Sequence, residues 1–239
     1  MAAAAENDRL FFFSPFDQPV DLVKWPNSLQ DLVFGEYFNH PIDGVQFPPS
    51  LQTLELGFQF NQPIERVSWP NSLRQLTFVG LFNQPIERVS WPNSLQRLHF
   101  GNRWNKRTDN VRWPASLQEL SFGRCEDIGD NRLTMFSHFN QPVDRSVWPE
   151  SLQRLTLGHR FRQSLQGLGT WMPNLKAFRL LDWDVDPQHD SLLRGIEWPK
   201  GLRELTVFEG SNLDDAVIPS LDGVVIPSTV KVYRSNLKF

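Results

Sequence analysis

Cys125 and His138 are the first side chains in this sequence whose types could do chemistry together. A thiol becomes a nucleophile when an imidazole brought beside it takes its proton. Only sequence proximity joins them here, and no wider motif supports the pair. Asp127, Asp130 and Asn131 offer oxygen ligands close by, but their spacing is not the D-x-D-x-D-G of a calcium loop. Gly167 and Gly169 lack the third glycine and the strand-to-helix setting of a dinucleotide site. Ser228 and Lys231 form an S-x-x-K without its partner motifs. His40, His99, His138, His159 and His189 are scattered at spacings that suggest no metal cluster. No phosphate-binding loop, H-E-x-x-H or G-x-S-x-G occurs. These absences predict a protein that is not an enzyme and needs no cofactor or metal.

Charge gives no broader chemistry. The net charge is −3, so no general nucleic-acid or membrane surface is expected. Arg103, Lys106, Arg107 and Arg112 cluster, but without the interleaved aromatics of a single-strand groove. No apolar run approaches the roughly 18 residues of a membrane span. The opening MAAAAENDRLFFFSP lacks the basic region and cleavage pattern of a secretory signal. With one cysteine and no Asn-x-Ser/Thr acceptor, an intracellular, cytoplasmic location is expected.

What does recur is a frame. Residues 60–78, FNQPIERVSWPNSLRQLTF, return at 82–100 with three changes, Arg74 to Gln96, Gln75 to Arg97 and Thr77 to His99. The leading aromatic falls at Phe16, Phe38, Phe60, Phe82 and Trp104, every 22 residues. It returns at Phe139 after 35 residues, so that unit carries 13 extra. A second aromatic follows nine residues behind each, for example Trp69, Trp91 and Trp113. Apolar triplets such as Leu73, Leu76 and Phe78 complete the unit, with a looser register at Leu175, Phe178 and Leu180 and at Leu202, Leu205 and Val207. This L-x-x-L-x-L pattern at a period of 20–29 residues is the signature of leucine-rich-repeat architecture.

The expected fold is therefore a leucine-rich-repeat-like solenoid. Its concave face is a parallel β-sheet, and its backs are extended or polyproline-like with little helix, because the repeated Pro fixes φ and holds its predecessor extended. Eight or nine coils would stack into a body roughly 40 Å long. We expect residues 1–15 as an N-terminal tail or cap and 16–239 as one solenoid. Its regular coils run over 16–157, with an insertion near 124–138, and degenerate coils run over 158–239. Val67 and Trp69 should point into the core. Asn39, Asn61, Asn83, Asn105 and Asn140 should form a stacked polar ladder satisfying backbone groups at the bends.

The motifs FNQPI (60–64 and 82–86), FNHPI (38–42) and FNQPV (139–143), each followed by V-x-W/F-P-x-S-L-x-x-L or a near variant, resemble FNIP repeats. The W-P-x-S-L-x-x-L part is also similar to the short repeats of bacterial effector leucine-rich proteins. The resemblance implies the fold and a protein-interaction role, with no catalytic residues to carry over. Departures are Asp17 for the first Asn, WNKRT (104–108) and FRQSL (161–165).

If the frame is constant, recognition belongs to what varies on the exposed face. Strand alternation puts two columns outward. One holds Gln75, Arg97, Glu119 and Arg154; the other holds Thr77, His99, Ser121, Thr156 and Arg179. Arg97, Glu119 and Arg154 alternate in sign, which could equally be cross-strand pairing. No exposed aromatic cluster is evident. The second candidate is the irregular fifth unit, with Lys106 and Arg107, and the insertion, with Met135 and Phe136 as apolar anchors. The expected function is a scaffold that binds a protein or peptide through the concave sheet and insertion loop. The alternative is a structural subunit of a large assembly, contacting through its back or ends.

Overall fold

One short segment, repeated, builds the whole sheet. In Gln75–Phe78 the alternate residues Leu76 and Phe78 are buried, and each such strand is too short to stand alone. A computed structural model describes residues 3–6, 8–13, 15–123, 137–158, 160–181, 192–209 and 224–236. Its strands are β1 (Ala3–Glu6), β2 (Arg9–Phe12), β3 (Asp31–Phe34), β4 (Thr53–Leu56), β5 (Gln75–Phe78) and β6 (Arg97–Phe100). They continue with β7 (Glu119–Phe122), β8 (Arg154–Leu157), β9 (Ala177–Leu181), β10 (Glu204–Glu209) and β11 (Lys231–Asn236). All eleven form one sheet in sequence order, and β2 to β11 run parallel. Among the described residues the helix content is a single turn, α1 (Leu168–Trp171).

The core is two interlocked aromatic columns. Phe38 stacks on Phe60, and Phe60 on Phe82, with ring centroids 6.1 Å apart each time. Behind them Phe78, Phe100 and Phe122 stack at 5.6 and 5.8 Å. The columns touch within a coil, as at Phe78 and Phe82, 4.0 Å apart. Offset stacking of this kind adds about 0.5–1.5 kcal/mol per pair beyond burial. Val67 and Trp69 are buried as the alternation predicts. Trp104 takes a Phe position and donates its indole N–H to the Gln84 carbonyl at 3.1 Å, so the larger ring is accommodated with its polar group paired.

The Asn ladder is present. Each Asn side-chain oxygen accepts the backbone N–H of the equivalent residue one coil on: Asn39 from Asn61 at 2.9 Å, Asn61 from Asn83 at 2.9 Å, and Asn105 from Asn140 at 2.9 Å. Asp17 does the same for Asn39 at 3.1 Å, because the position requires only an acceptor. The chain at FRQSL keeps the register: Arg162 donates its N–H to Asn140 at 2.8 Å, and Phe161 and Leu165 are buried. A second ladder runs through the serines of the P-x-S-L turns. Ser72, for example, donates to the Leu51 carbonyl at 2.6 Å, and Ser151 to Leu117 at 2.7 Å.

The start of the chain forms a hairpin on the first coil. β1 pairs antiparallel with β2, joined through Asp8, whose φ of 66° is left-handed. This hairpin adds one antiparallel strand beyond the parallel sheet. Its turn is tied to the next coil, since the Asp8 carbonyl accepts the N–H of Gln30 at 2.8 Å.

Candidate functional site

The sheet's solvent face carries the sequence-predicted columns, in register. Gln75 pairs with Arg97, Arg97 with Glu119, and Glu119 with Arg154. Arg97 and Arg154 each place a guanidinium nitrogen 3.9 Å from the same Glu119 carboxylate oxygen, and His99 lies 4.0 Å from the other. Both arginines are more than half exposed, so these are loose contacts worth roughly 0–1 kcal/mol each. The row is therefore held only loosely within the sheet face.

The second column is less available than alternation predicts. Thr77 is 3% exposed and Ser121 is 5% exposed. Both are short side chains one strand spacing from larger ones: Glu55 and His99 flank Thr77, and His99 and Thr156 flank Ser121. The Ser121 hydroxyl is also turned back to the Gly123 carbonyl. His99 and Thr156 keep partial exposure, and Arg179 is exposed.

A third column stands beside these two. Gln30, Gln52, Arg74, Gln96, Gln118, Gln153, Lys176 and Arg203 follow one another through backbone bonds, beginning with Gln52 N–H to Gln30 carbonyl at 2.7 Å. Gln52 donates its side-chain amide to the Gln30 side-chain oxygen at 3.0 Å, and the Lys176 ammonium donates to the Gln153 side-chain oxygen at 3.0 Å. Position 74/96, the third difference between the near-identical coils, lies in this column.

An exposed aromatic cluster exists that sequence reading missed. Phe11, Phe13, Val33, Phe58 and Val79 line a groove of about 410 Å³ at the rim where β2 to β5 end, with Glu36 and Glu55 at its border. Phe13 is 53% exposed and Phe58 38%. Phe11 stacks on Phe13 at 6.3 Å and carries the Arg9 guanidinium 5.1 Å from its centroid. The run Phe11-Phe12-Phe13 was the available signal: in a strand only the middle residue of three can face the core.

In the fifth unit, Arg107 grips Asp109 through Nε at 3.1 Å and through a second nitrogen. That hydrogen bond, with the charge of Arg107, holds the Asp109 carboxyl below its usual range against the opposing effect of burial. Lys106 is half-buried beside them. The insertion leaves the frame at the end of β7, on the same rim as the aromatic groove. Met135, Phe136 and Cys125 lie outside the described residues. His138 is partly buried, and burial followed by the charges of Arg160 and Arg103 lowers its pKa. Among the described residues no three His, Cys, Asp or Glu side chains gather as a metal site, and no helix is long and apolar enough to cross a membrane.

The FNIP repeat family's pattern matches residues 16–59, 38–81 and 82–125. These coils are FNIP repeats. A solved structure described as CroV588, a novel circular leucine-rich-repeat protein, superposes with a TM-score of 0.61 at 28% identity. The match covers 95% of this chain and 33% of that one, so this chain spans about a third of its length. An internalin from Listeria monocytogenes aligns at a TM-score of 0.37 and 12% identity, covering 89% of this chain and 69% of its own. No curated protein matches the sequence. The FNIP coils, the single open sheet and the first of these likenesses make the fold a leucine-rich-repeat-like solenoid. FNIP repeats and solenoids of this kind serve generally as protein-interaction scaffolds.

Proposed function

We propose that this protein is a non-enzymatic scaffold that binds a protein partner across the concave face of its sheet. The observation that carries the reading is the separation of frame from face. Between residues 60–78 and 82–100 every core and ladder residue is unchanged, and the three differences all lie on the solvent-side columns of β5 and β6 or directly beside them. A stacked frame of this kind holds variable side chains at fixed spacing, which is what a recognition surface requires.

Two features give that surface its character. The Arg97–Glu119–Arg154 row supplies charge, and the aromatic groove at the β2–β5 rim supplies apolar anchors of the type that dominate binding energy. The insertion at 124–138 leaves from that same rim and belongs to the proposed contact, with Met135 and Phe136 as its anchors. The test is reversal of Arg97, Arg154 and Arg179 to Glu, with the fold checked by circular dichroism. Loss of a partner bound by the unaltered chain supports the concave face. Full retention places the contacts on the back or ends, as in a structural subunit.

A further inference from the structure

A second surface lies on the opposite rim, where the strands begin, and at the far end of the solenoid. It is a cleft of about 730 Å³ formed by the turns before β8 to β11 and by the third column. Three stacked positions make it, with Thr229 beside them ahead of β11. Glu150, Pro173 and Lys200 occupy one; Asn174 and Gly201 the next; Gln153, Lys176 and Arg203 the last. The regular coils fill the middle position with serine, whose hydroxyl caps the preceding Leu carbonyl. At Gly201 that side chain is missing, and a Cβ placed there would stand 3.8 Å from the Leu175 carbonyl oxygen with nothing nearer. The gap in the serine ladder helps to open the cleft.

The chemistry changes at the same place. The third column is mostly glutamine up to Gln153 and then becomes Lys176 and Arg203, while the turn position passes from Glu150 to Lys200. The backbone N–H groups of Lys176 and Arg203 are already bonded within the sheet, at 2.8 Å to Gln153 and 2.8 Å to Lys176. A ligand therefore meets side chains at these two positions, the Arg203 guanidinium and the Lys176 ammonium, which also donates to the Gln153 side-chain oxygen at 3.0 Å. Arg offers a planar fork that matches a carboxylate, and Lys a point charge.

We propose that this cleft binds an acidic segment of a partner protein, its Asp and Glu carboxylates held by Lys176, Lys200 and Arg203. The cleft spans the turns of several coils about 4.8 Å apart, a length suited to several extended residues rather than one small anion. Glu150 repels the acidic run at the β8 end and centres it over β9 and β10. This surface stands apart from the concave face and does not rest on it.

The probe is a fluorescent peptide of alternating Asp and Glu, followed by anisotropy against the full chain. Binding that weakens with added salt is expected, and roughly tenfold or greater loss on Lys200→Glu with Arg203→Glu. Arg97→Glu, on β6 and outside the cleft, should leave this binding nearly unchanged while it tests the concave face, so failure here and failure of the concave-face reading are separable. Should the Glu pair unfold the chain, Lys200→Gln with Arg203→Gln keeps polarity and gives the same readout. The proposal is overturned if the peptide does not bind, if its Asn/Gln counterpart binds equally well, or if neither variant weakens it. It is also overturned if inorganic phosphate displaces the peptide at equal concentration, which would mark a small-anion site.

Discussion

Asn83 accepts the backbone N–H of Asn105 on its side-chain oxygen at 3.0 Å, while its own N–H donates to Asn61 at 2.9 Å. Each ladder residue thus satisfies the coil ahead and is satisfied by the coil behind. Asn83→Ala leaves a half-buried N–H without its acceptor and should cost about 1–3 kcal/mol in chemical denaturation. Asn83→Asp keeps the acceptor, as Asp17 does naturally, and should lose clearly less.

The aromatic columns predict a larger effect. Phe82 is fully buried and stacks on Phe60 at 6.1 Å and Phe78 at 4.0 Å. Phe82→Ala should destabilise by about 3–5 kcal/mol. Gln96→Ala, on the open third column, should stay within about 0.5 kcal/mol. Equal losses at both sites would contradict the division between frame and face.

Gly57 predicts a steric effect. A Cβ there would stand 1.8 Å from the Gly35 carbonyl oxygen, which is backbone and cannot swing away. Gly57→Ala should therefore lower the thermal midpoint and cost at least about 1–3 kcal/mol. Gly201→Ala, with its open surroundings, should fold as well as the unaltered chain.

Asp109 predicts a pH dependence. Its carboxyl is held below the ordinary 3.8 by Arg107, so the unfolded chain takes up the proton first on acidification. The contribution is whole above about 3.8 and is lost as pH falls through the lowered folded value. Arg107→Gln should remove it, giving a stability–pH curve that is flatter below 3.8 than that of the unaltered chain. Parallel curves would show that Arg107 does not hold the carboxyl.

Much of this was legible because repetition makes position informative. The inward set Leu76 and Phe78, the Asn ladder and the buried Trp69 follow from period two within a strand and period 22 between coils. The hairpin of Ala3–Glu6 on Arg9–Phe12 was not legible, since it lies outside the repeat and pairs antiparallel. Burial of Thr77 and Ser121 was hidden because alternation gives the side a residue faces, not the size of its neighbours one strand away. The aromatic groove and the basic cleft depend on stacking residues from several coils, such as Phe11 with Phe58 and Lys176 with Arg203.

The groove makes its own prediction for binding. Phe13→Asp, at the more exposed of the two rings, removes exposed apolar surface without touching the buried columns. It should weaken partner binding roughly tenfold or more while leaving the denaturation midpoint nearly unchanged.

The most direct test of the concave face is affinity capture from extract of the source cells. The unaltered chain would be run beside the Arg97→Glu, Arg154→Glu, Arg179→Glu variant, both shown folded by circular dichroism. A discrete partner captured by the unaltered chain and lost from the variant is expected. The same partner retained in equal amount on both would contradict it.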